Sequence, residues 1–131
     1  MARSANQKSK LLYLCQILLE QTDEEHPLTV PELIDQLARY DIHAERKSIY
    51  DDLEALSRFG LDLQNRKGRS PGWFIGAREF ELPELKLLVD AVQSSRFITR
   101  KKSNALIRKL EHLASVYQAQ QLQRQVFVSG R

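Results

Sequence analysis

Residues 45–76 read ERKSIYDDLEALSRFGLDLQNRKGRSPGWFIG. The first half of this run has a helical period. Ile49, Leu53 and Leu56 mark one buried side of a helix over residues 45–59, and Gly60 is suited to the left-handed position that ends it. The period then changes. Leu61 and Leu63 alternate with Asp62 and Gln64, and Trp73, Phe74 and Ile75 form a second short β-like run. Between them, residues 65–72 are rich in turn formers and in cations (Arg66, Lys67, Arg69). The whole reads as a helix followed by a β-hairpin with a basic tip.

Immediately upstream, Thr29 is placed to cap a helix, with Glu32 three residues later completing a capping box. Val30, Leu33, Ile34 and Leu37 form its apolar stripe, and it ends near Tyr40. Joined to the 45–59 helix by about four residues, it makes a helix-turn-helix, and the hairpin becomes its wing. Further upstream, Pro27 pushes His26 out of the helical region and separates an earlier helix over residues 8–21. In that helix Leu11, Leu14, Cys15 and Leu18 recur at helical spacing, with Leu12 and Leu19 widening the apolar face. Residues 1–8 read as a frayed polar terminus.

Downstream of Gly76 the pattern is helical again. Pro83 is a favoured first helical residue, and Leu85, Leu88, Val89 and Val92 keep the period. After a turn at residues 94–97, Thr99 caps a further helix to about Ala114, with Leu106, Leu110 and Leu113 inward. Residues 117–125 are Gln-rich and compatible with helix, and Val126-Phe127-Val128 reads as the start of a strand. The expected fold is mainly α with a small β-hairpin: a winged helix-turn-helix over residues 1–76, followed by a helical connector over 77–125. Residues 126–131 read as the beginning of a following domain that this chain does not contain.

The chain has 131 residues, about one domain's worth. With 42% hydrophobic and 28% charged residues it is composed like a folded protein rather than a disordered one. Its net charge of +3 is too small to argue for nucleic acid by itself. The distribution says more: residues 1–76 hold ten basic and twelve acidic side chains, net −2, whereas residues 77–131 hold ten and five, net +5. DNA binding by the first half must therefore rest on placed charges. A single cysteine, Cys15, permits no intrachain disulfide. The apolar run 11–19 is too short to span a bilayer and is followed by acids rather than a cleavage site, so a cytoplasmic protein without membrane partner is expected.

No catalytic or metal-binding pattern emerges. Cys15 lies on an apolar stripe, where a buried structural thiol is expected. His26, His43 and His112 lack ligand spacing. Asp51 and Asp52 are adjacent on a helix and diverge by about 100°. There is no phosphate-cradling Gly-rich loop, and no cofactor is expected. What the pattern does suit is DNA. The N-terminal end of a recognition helix reaches base edges in the major groove. Here that end is Glu45, Arg46, Lys47, Ser48 and Tyr50. Arg46 and Lys47 can contact guanine acceptors or phosphate. Ser48 can donate or accept. Tyr50 either reaches phosphate or a base methyl, or packs. Arg66, Lys67 and Arg69 on the wing would follow the backbone or enter the minor groove. Thr29 and the amides behind it would hold another phosphate. Trp73 is expected to pack on the helices. Asp51 opposes a phosphate surface, and Asp52 is expected to face inward or cap a neighbour.

Residues 28–60 resemble the winged helix-turn-helix of DeoR-type bacterial regulators. Ser48-Ile49-Tyr50-Asp51-Asp52-Leu53 is similar to their Thr/Ser-Ile-x-Arg-Asp-Leu pattern, with Asp51 in place of its Arg, so that backbone contact is not carried over. Residues 80–94, FELPELKLLVDAVQS, continued by Phe97-Ile98-Thr99, resemble the helical connector that follows the winged helix in WYL-domain transcriptional regulators. The resemblance covers about residues 8–128. It implies sequence-specific binding of double-stranded DNA by a bacterial transcriptional regulator. Since specific operators usually take two copies about 34 Å apart, a homodimer is expected, through the helices after residue 80 or the absent domain. In such proteins an effector ligand acts through the WYL domain. None of that domain's signature is present in this chain, and Val126–Val128 would be the stub of its first strand.

Two matters stay open at this level. A winged helix can also serve as a protein-interaction or dimerisation module without DNA binding, which the net charge of residues 1–76 and Asp51 favour. The run Arg100-Lys101-Lys102 occupies a helical first turn, where the helix dipole disfavours each cation by ~0.3–1 kcal/mol. With Arg96, Arg108 and Lys109 it forms a face that is simply solvated, touches phosphate, or docks on an acidic partner.

Overall fold

A computed structural model describes residues 2–128 of the chain, with side chains over 8–126. The chain is mainly helical with one small antiparallel hairpin. It divides into two compact units, Met1–Gly76 and Ala77–Arg131.

The first unit contains α1 (Ala2–Gln21), α2 (Val30–Ala38), α3 (Arg46–Phe59), β1 (Leu63–Arg66) and β2 (Gly72–Ile75). Its core joins Leu14, Ile17 and Leu18 of α1, Leu33 and Leu37 of α2, Ile49, Leu53 and Leu56 of α3, and Ile75 of β2. Trp73 packs against this core, as its place in the hairpin predicts. α1 starts at Ala2 rather than near residue 8. Residues 2–8 contain no Gly or Pro to stop the helix, and Ala, Arg, Gln and Lys are good helix formers. Its buried face also differs from expectation. Leu12 is 72% exposed and Leu19 is exposed, while Ile17 is buried and Lys10 is only 5% exposed.

Lys10 lies on this buried face because it pairs with Asp52 of α3. Burial pushes its ammonium below the ordinary lysine range, and the nearby charge of Asp51 opposes that shift. Asp52 thus faces inward, and the pair ties α1 to α3.

The capping box at α2 is complete. Thr29 Oγ1 accepts from the Glu32 amide, and the Thr29 amide donates to Glu32 Oε1 at 2.8 Å. The connection to α3 runs over residues 39–45 and is longer than the four or so expected, because α2 stops at Ala38. Asp41 adopts a left-handed conformation (φ 60°), and the Ile42 amide donates back to the Leu37 carbonyl at 3.1 Å. This is a Schellman closure with Asp in the position usually held by Gly. Ile42 and Ala44 then drop into the core, so the turn contributes to packing.

In the hairpin, Leu63 pairs with Ile75, Asn65 with Trp73 and Arg66 with Gly72. A third, single-residue strand joins it. Leu28 and Trp73 exchange both backbone hydrogen bonds, at 2.9 and 2.7 Å. Gly72 is what lets the chains approach: a Cβ there would lie 2.6 Å from the Leu28 carbonyl carbon, and its φ of 142° is itself strained for other residues. The other end of β2 is held by buried Thr22, whose Oγ1 accepts from the Ile75 amide at 3.0 Å and donates to the Leu18 carbonyl at 2.6 Å.

The second unit is a three-helix cluster of α4 (Leu82–Ser94), α5 (Arg100–Glu111) and α6 (Val116–Val128). Leu85, Val89, Ile107, Ala114 and Leu122 form its core. Pro83 sits in the first turn of α4, and Thr99 caps α5 by accepting from the Lys102 amide at 3.2 Å. The inward face of α5 is Ser103, Ile107 and Leu110, followed by Ala114, whereas Leu106 and Leu113 are exposed. The apolar stripe is one position out of phase with expectation because a serine occupies one of its places. α6 begins with an unforeseen reciprocal cap: the Gln118 amide donates to Ser115 Oγ at 3.1 Å, and Gln118 Oε1 accepts from the Ser115 amide at 3.3 Å. The expected strand at Val126–Val128 is the last turn of α6. Val126 stands four residues after Leu122 and packs on the same core, so helical spacing overrides the β preference of valine. Residues 129–131 of the expected following domain lie outside the described residues.

Candidate nucleic-acid interface

The first unit has an open groove of about 340 Å³ between the start of α2, the start of α3 and the hairpin. It brings together five of the nine residues singled out in the sequence: Thr29, Arg46, Tyr50, Arg66 and Lys67. Asn65, Pro31, Pro71 and Trp73 complete much of the wall. No carboxylate lines it. In a unit of net charge −2, this is a local concentration of one sign.

Helical geometry explains which α3 residues take part. Arg46 and Tyr50 are four residues apart and share the flank of α3 that faces the hairpin. Arg46 is exposed, and Tyr50 is 43% exposed. Lys47 is also exposed but projects about 100° further round, in line with Asp51, Glu54 and Arg58. That outer stripe is balanced in charge, with Glu54 and Arg58 paired at 3.1 Å. Ser48 is half-buried on the flank that carries Asp52, away from the groove. Glu45 is exposed at the N-cap of α3, without a side-chain capping bond.

Strand alternation sorts the hairpin residues. Asn65 shares the face of its partner Trp73, toward the core and groove, and this alternation is the signal by which it was discoverable. Arg66 falls on the other face. Its guanidinium lies 5.0 Å from the centre of the Phe74 ring and donates to the Glu24 carbonyl. It therefore pins the hairpin to the acidic 23–25 loop while contributing to the groove wall. Lys67 follows on the groove side. Arg69 is exposed at the hairpin tip, between left-handed Gly68 and Ser70, and does not line the groove.

Thr29 is at the groove, but its polar atoms are engaged. Its hydroxyl donates to Glu32 Oε1 at 3.0 Å and accepts from the Glu32 amide. The Glu32 carboxylate occupies the helix N-terminus where a phosphate was expected, and Pro31 offers no N–H.

Cys15 is half-buried, and burial pushes its thiol above the ordinary range, the opposite of an activated nucleophile. Among the described residues, no cluster of three or more His, Cys, Asp or Glu side chains is arranged to hold a metal ion. Among them, too, no helix is long and apolar enough to cross a membrane. Comparisons of the chain with protein-family models, with curated proteins and with solved structures found no match.

Proposed function

We propose that residues 1–76 bind double-stranded DNA, with the first turns of α3 in the major groove and the hairpin along the sugar-phosphate backbone. The observation that carries this reading is the groove whose walls hold Arg46, Lys67, Arg66, Tyr50 and Asn65 and no carboxylate. An exposed helix start beside a cationic hairpin suits a duplex, since one can enter a groove while the other follows phosphates. Within this reading Arg46 reads guanine or phosphate, Asn65 and Tyr50 supply hydrogen bonds, and Lys67 and Arg69 hold the backbone. Lys47 and Glu45 flank the base-reading edge. Arg66 is chiefly a positioning residue for the hairpin.

The resemblance to DeoR-type and WYL-domain regulators extends the proposal to a cytoplasmic bacterial transcriptional regulator that is not an enzyme. Two copies would occupy half-sites about 34 Å apart. The balanced outer stripe of α3, together with exposed Phe59, supports one other reading: docking of a protein on that stripe.

The test is selection of duplexes from a random pool, followed by anisotropy titration between about 50 and 200 mM salt. The expected result is a preferred sequence whose binding weakens steeply with salt. Arg46→Ala/Lys67→Ala should abolish the preference, at about 1–3 kcal/mol for a lost base contact. No enrichment, or binding indifferent to this double substitution, would overturn the proposal. Binding lost instead through Phe59→Ser in a partner assay would favour the docking reading.

A further inference from the structure

The second unit carries a net charge of +5 that the groove does not use. Its carboxylates are largely committed internally. Glu84 accepts from the Glu81 amide in the α4 capping box at 2.8 Å, Asp90 from Gln125 at 2.6 Å, and Glu111 from Gln123 at 3.1 Å. Lys101, Lys102, Arg108 and Lys109 of α5 are all exposed, and none of them pairs with a carboxylate among the described residues. Their spacing is regular. Lys101 and Arg108 are seven residues apart, as are Lys102 and Lys109, so each pair lines up along the helix. Each row spans about 10 Å, the axial rise of about three nucleotides of one DNA strand. α5 has no acidic residue in its first turn, and its cap, Thr99, is neutral. Arg108 and Lys109 in the last turn suit the helix dipole, but Lys101 and Lys102 stand against its positive end and do not serve folding. With none of the four paired among the described residues, the arrangement points to an anion outside the chain.

From this we infer that the outer face of α5 is a second, sequence-independent contact for the DNA backbone, supplying much of the salt-sensitive affinity. The inference rests on the DNA-binding reading of the first unit. Charge complementarity names the partner. Ile107 and Leu110 of α5 are packed in the unit's own core, so they are not offered to a membrane surface. Along the outward line of Lys101, Ala105 and Arg108 the one uncharged side chain is alanine, and the exposed Leu106 and Leu113 lie to the side of the Lys102–Lys109 row.

The full chain with Lys101→Gln/Lys102→Gln/Arg108→Gln/Lys109→Gln tests this on two duplexes, one enriched by selection and one scrambled. Both affinities should fall by the same factor, leaving their ratio unchanged. The slope of log affinity against log salt should become shallower by about 2–4, at about 0.9 per phosphate contact removed. Lys101→Arg/Lys102→Arg/Lys109→Arg should keep the wild-type slope. An unchanged slope and affinity in the glutamine variant would overturn the inference. If Arg46→Ala/Lys67→Ala still lost sequence preference, the reading of the first unit would survive that failure. A chain that binds phosphatidylserine vesicles through α5 but neither duplex would sink both.

Discussion

The two units of this chain use charge in opposite ways. In residues 2–76 ionic groups do structural work: Lys10 pairs with Asp52 beneath the helices, and Arg66 holds the hairpin against Glu24. Of the remaining cations, Arg46 and Lys67 are the ones whose position brings them to the groove. In residues 77–128 the polar links between and within helices are made by neutral donors, several of them to carboxylates. Gln125 links α6 to α4 through the Lys86 carbonyl and Asp90, and Ser115 and Gln118 cap α6. The α5 cations Lys101, Lys102, Arg108 and Lys109 remain exposed. One unit offers shape with little net charge, the other net charge with little shape. Under the proposed DNA reading, the first unit would recognise sequence and the second would hold phosphate.

The comparison is most exposed to disproof at Gly72. Trp73 is the single tryptophan, so its fluorescence reports the first unit while circular dichroism reports helices of both. Gly72→Ala places a Cβ against the Leu28 backbone at a positive φ, and should destabilise the first unit by about 2–4 kcal/mol. At Gly68 the space is open, and the same change should cost about 1–2 kcal/mol, for φ alone. Equal effects at the two positions would mean that the Leu28 bridge does not hold the hairpin.

Asp52→Ala should cost about 1–3 kcal/mol, because it leaves a nearly buried ammonium without its partner. Lys10→Met/Asp52→Leu should return to wild-type stability or exceed it, since a buried pair often contributes less than apolar packing of the same volume. If the double variant stayed as weak as Asp52→Ala, the pair would be a net source of cohesion, and the contrast between the units would sharpen. In the second unit, Ser115→Ala should cost about 1 kcal/mol through loss of the cap, read by circular dichroism. A matching shift of Trp73 fluorescence would show the units unfolding as one, and would break the comparison.

The parts of this architecture written in local signals were legible. The α2 capping box, the α3 stripe and the change of period into the hairpin each depend on residues within a few positions of one another. What escaped depended on distant partners. The inward turn of Lys10 has meaning only once α3 brings Asp52 beside it. Leu28 pairs as a single residue, too short for any periodicity. The α5 stripe was misread because Ser103 takes a core place beside Ile107. The Val126–Val128 run has the composition of a strand, yet its helical spacing from Leu122 decided otherwise. The candidate site was legible in its residue types but not in its sorting. Only the strand register and the 23–25 loop show that Arg66 is spent on Phe74 and Glu24, and only helix phase separates Arg46 and Tyr50 from Ser48.

The smallest expected effect has the most telling sign. Lys101 and Lys102 sit in the first turn of α5, Arg108 and Lys109 in its last. If the cations were there to stabilise the helix, only the last-turn pair would be favourable. Lys101→Gln/Lys102→Gln should therefore raise the stability of the second unit by about 0.3–1 kcal/mol per charge, and Lys109→Gln should lower it by a similar amount. Both changes are measurable as shifts in thermal melting followed by circular dichroism at low salt, and both should shrink as salt screens the dipole. A gain in stability from Lys101→Gln/Lys102→Gln, accompanied by weaker duplex binding, would separate what α5 needs to fold from what it presents outward. A loss of stability would return these lysines to the fold and remove the reason for assigning them to DNA.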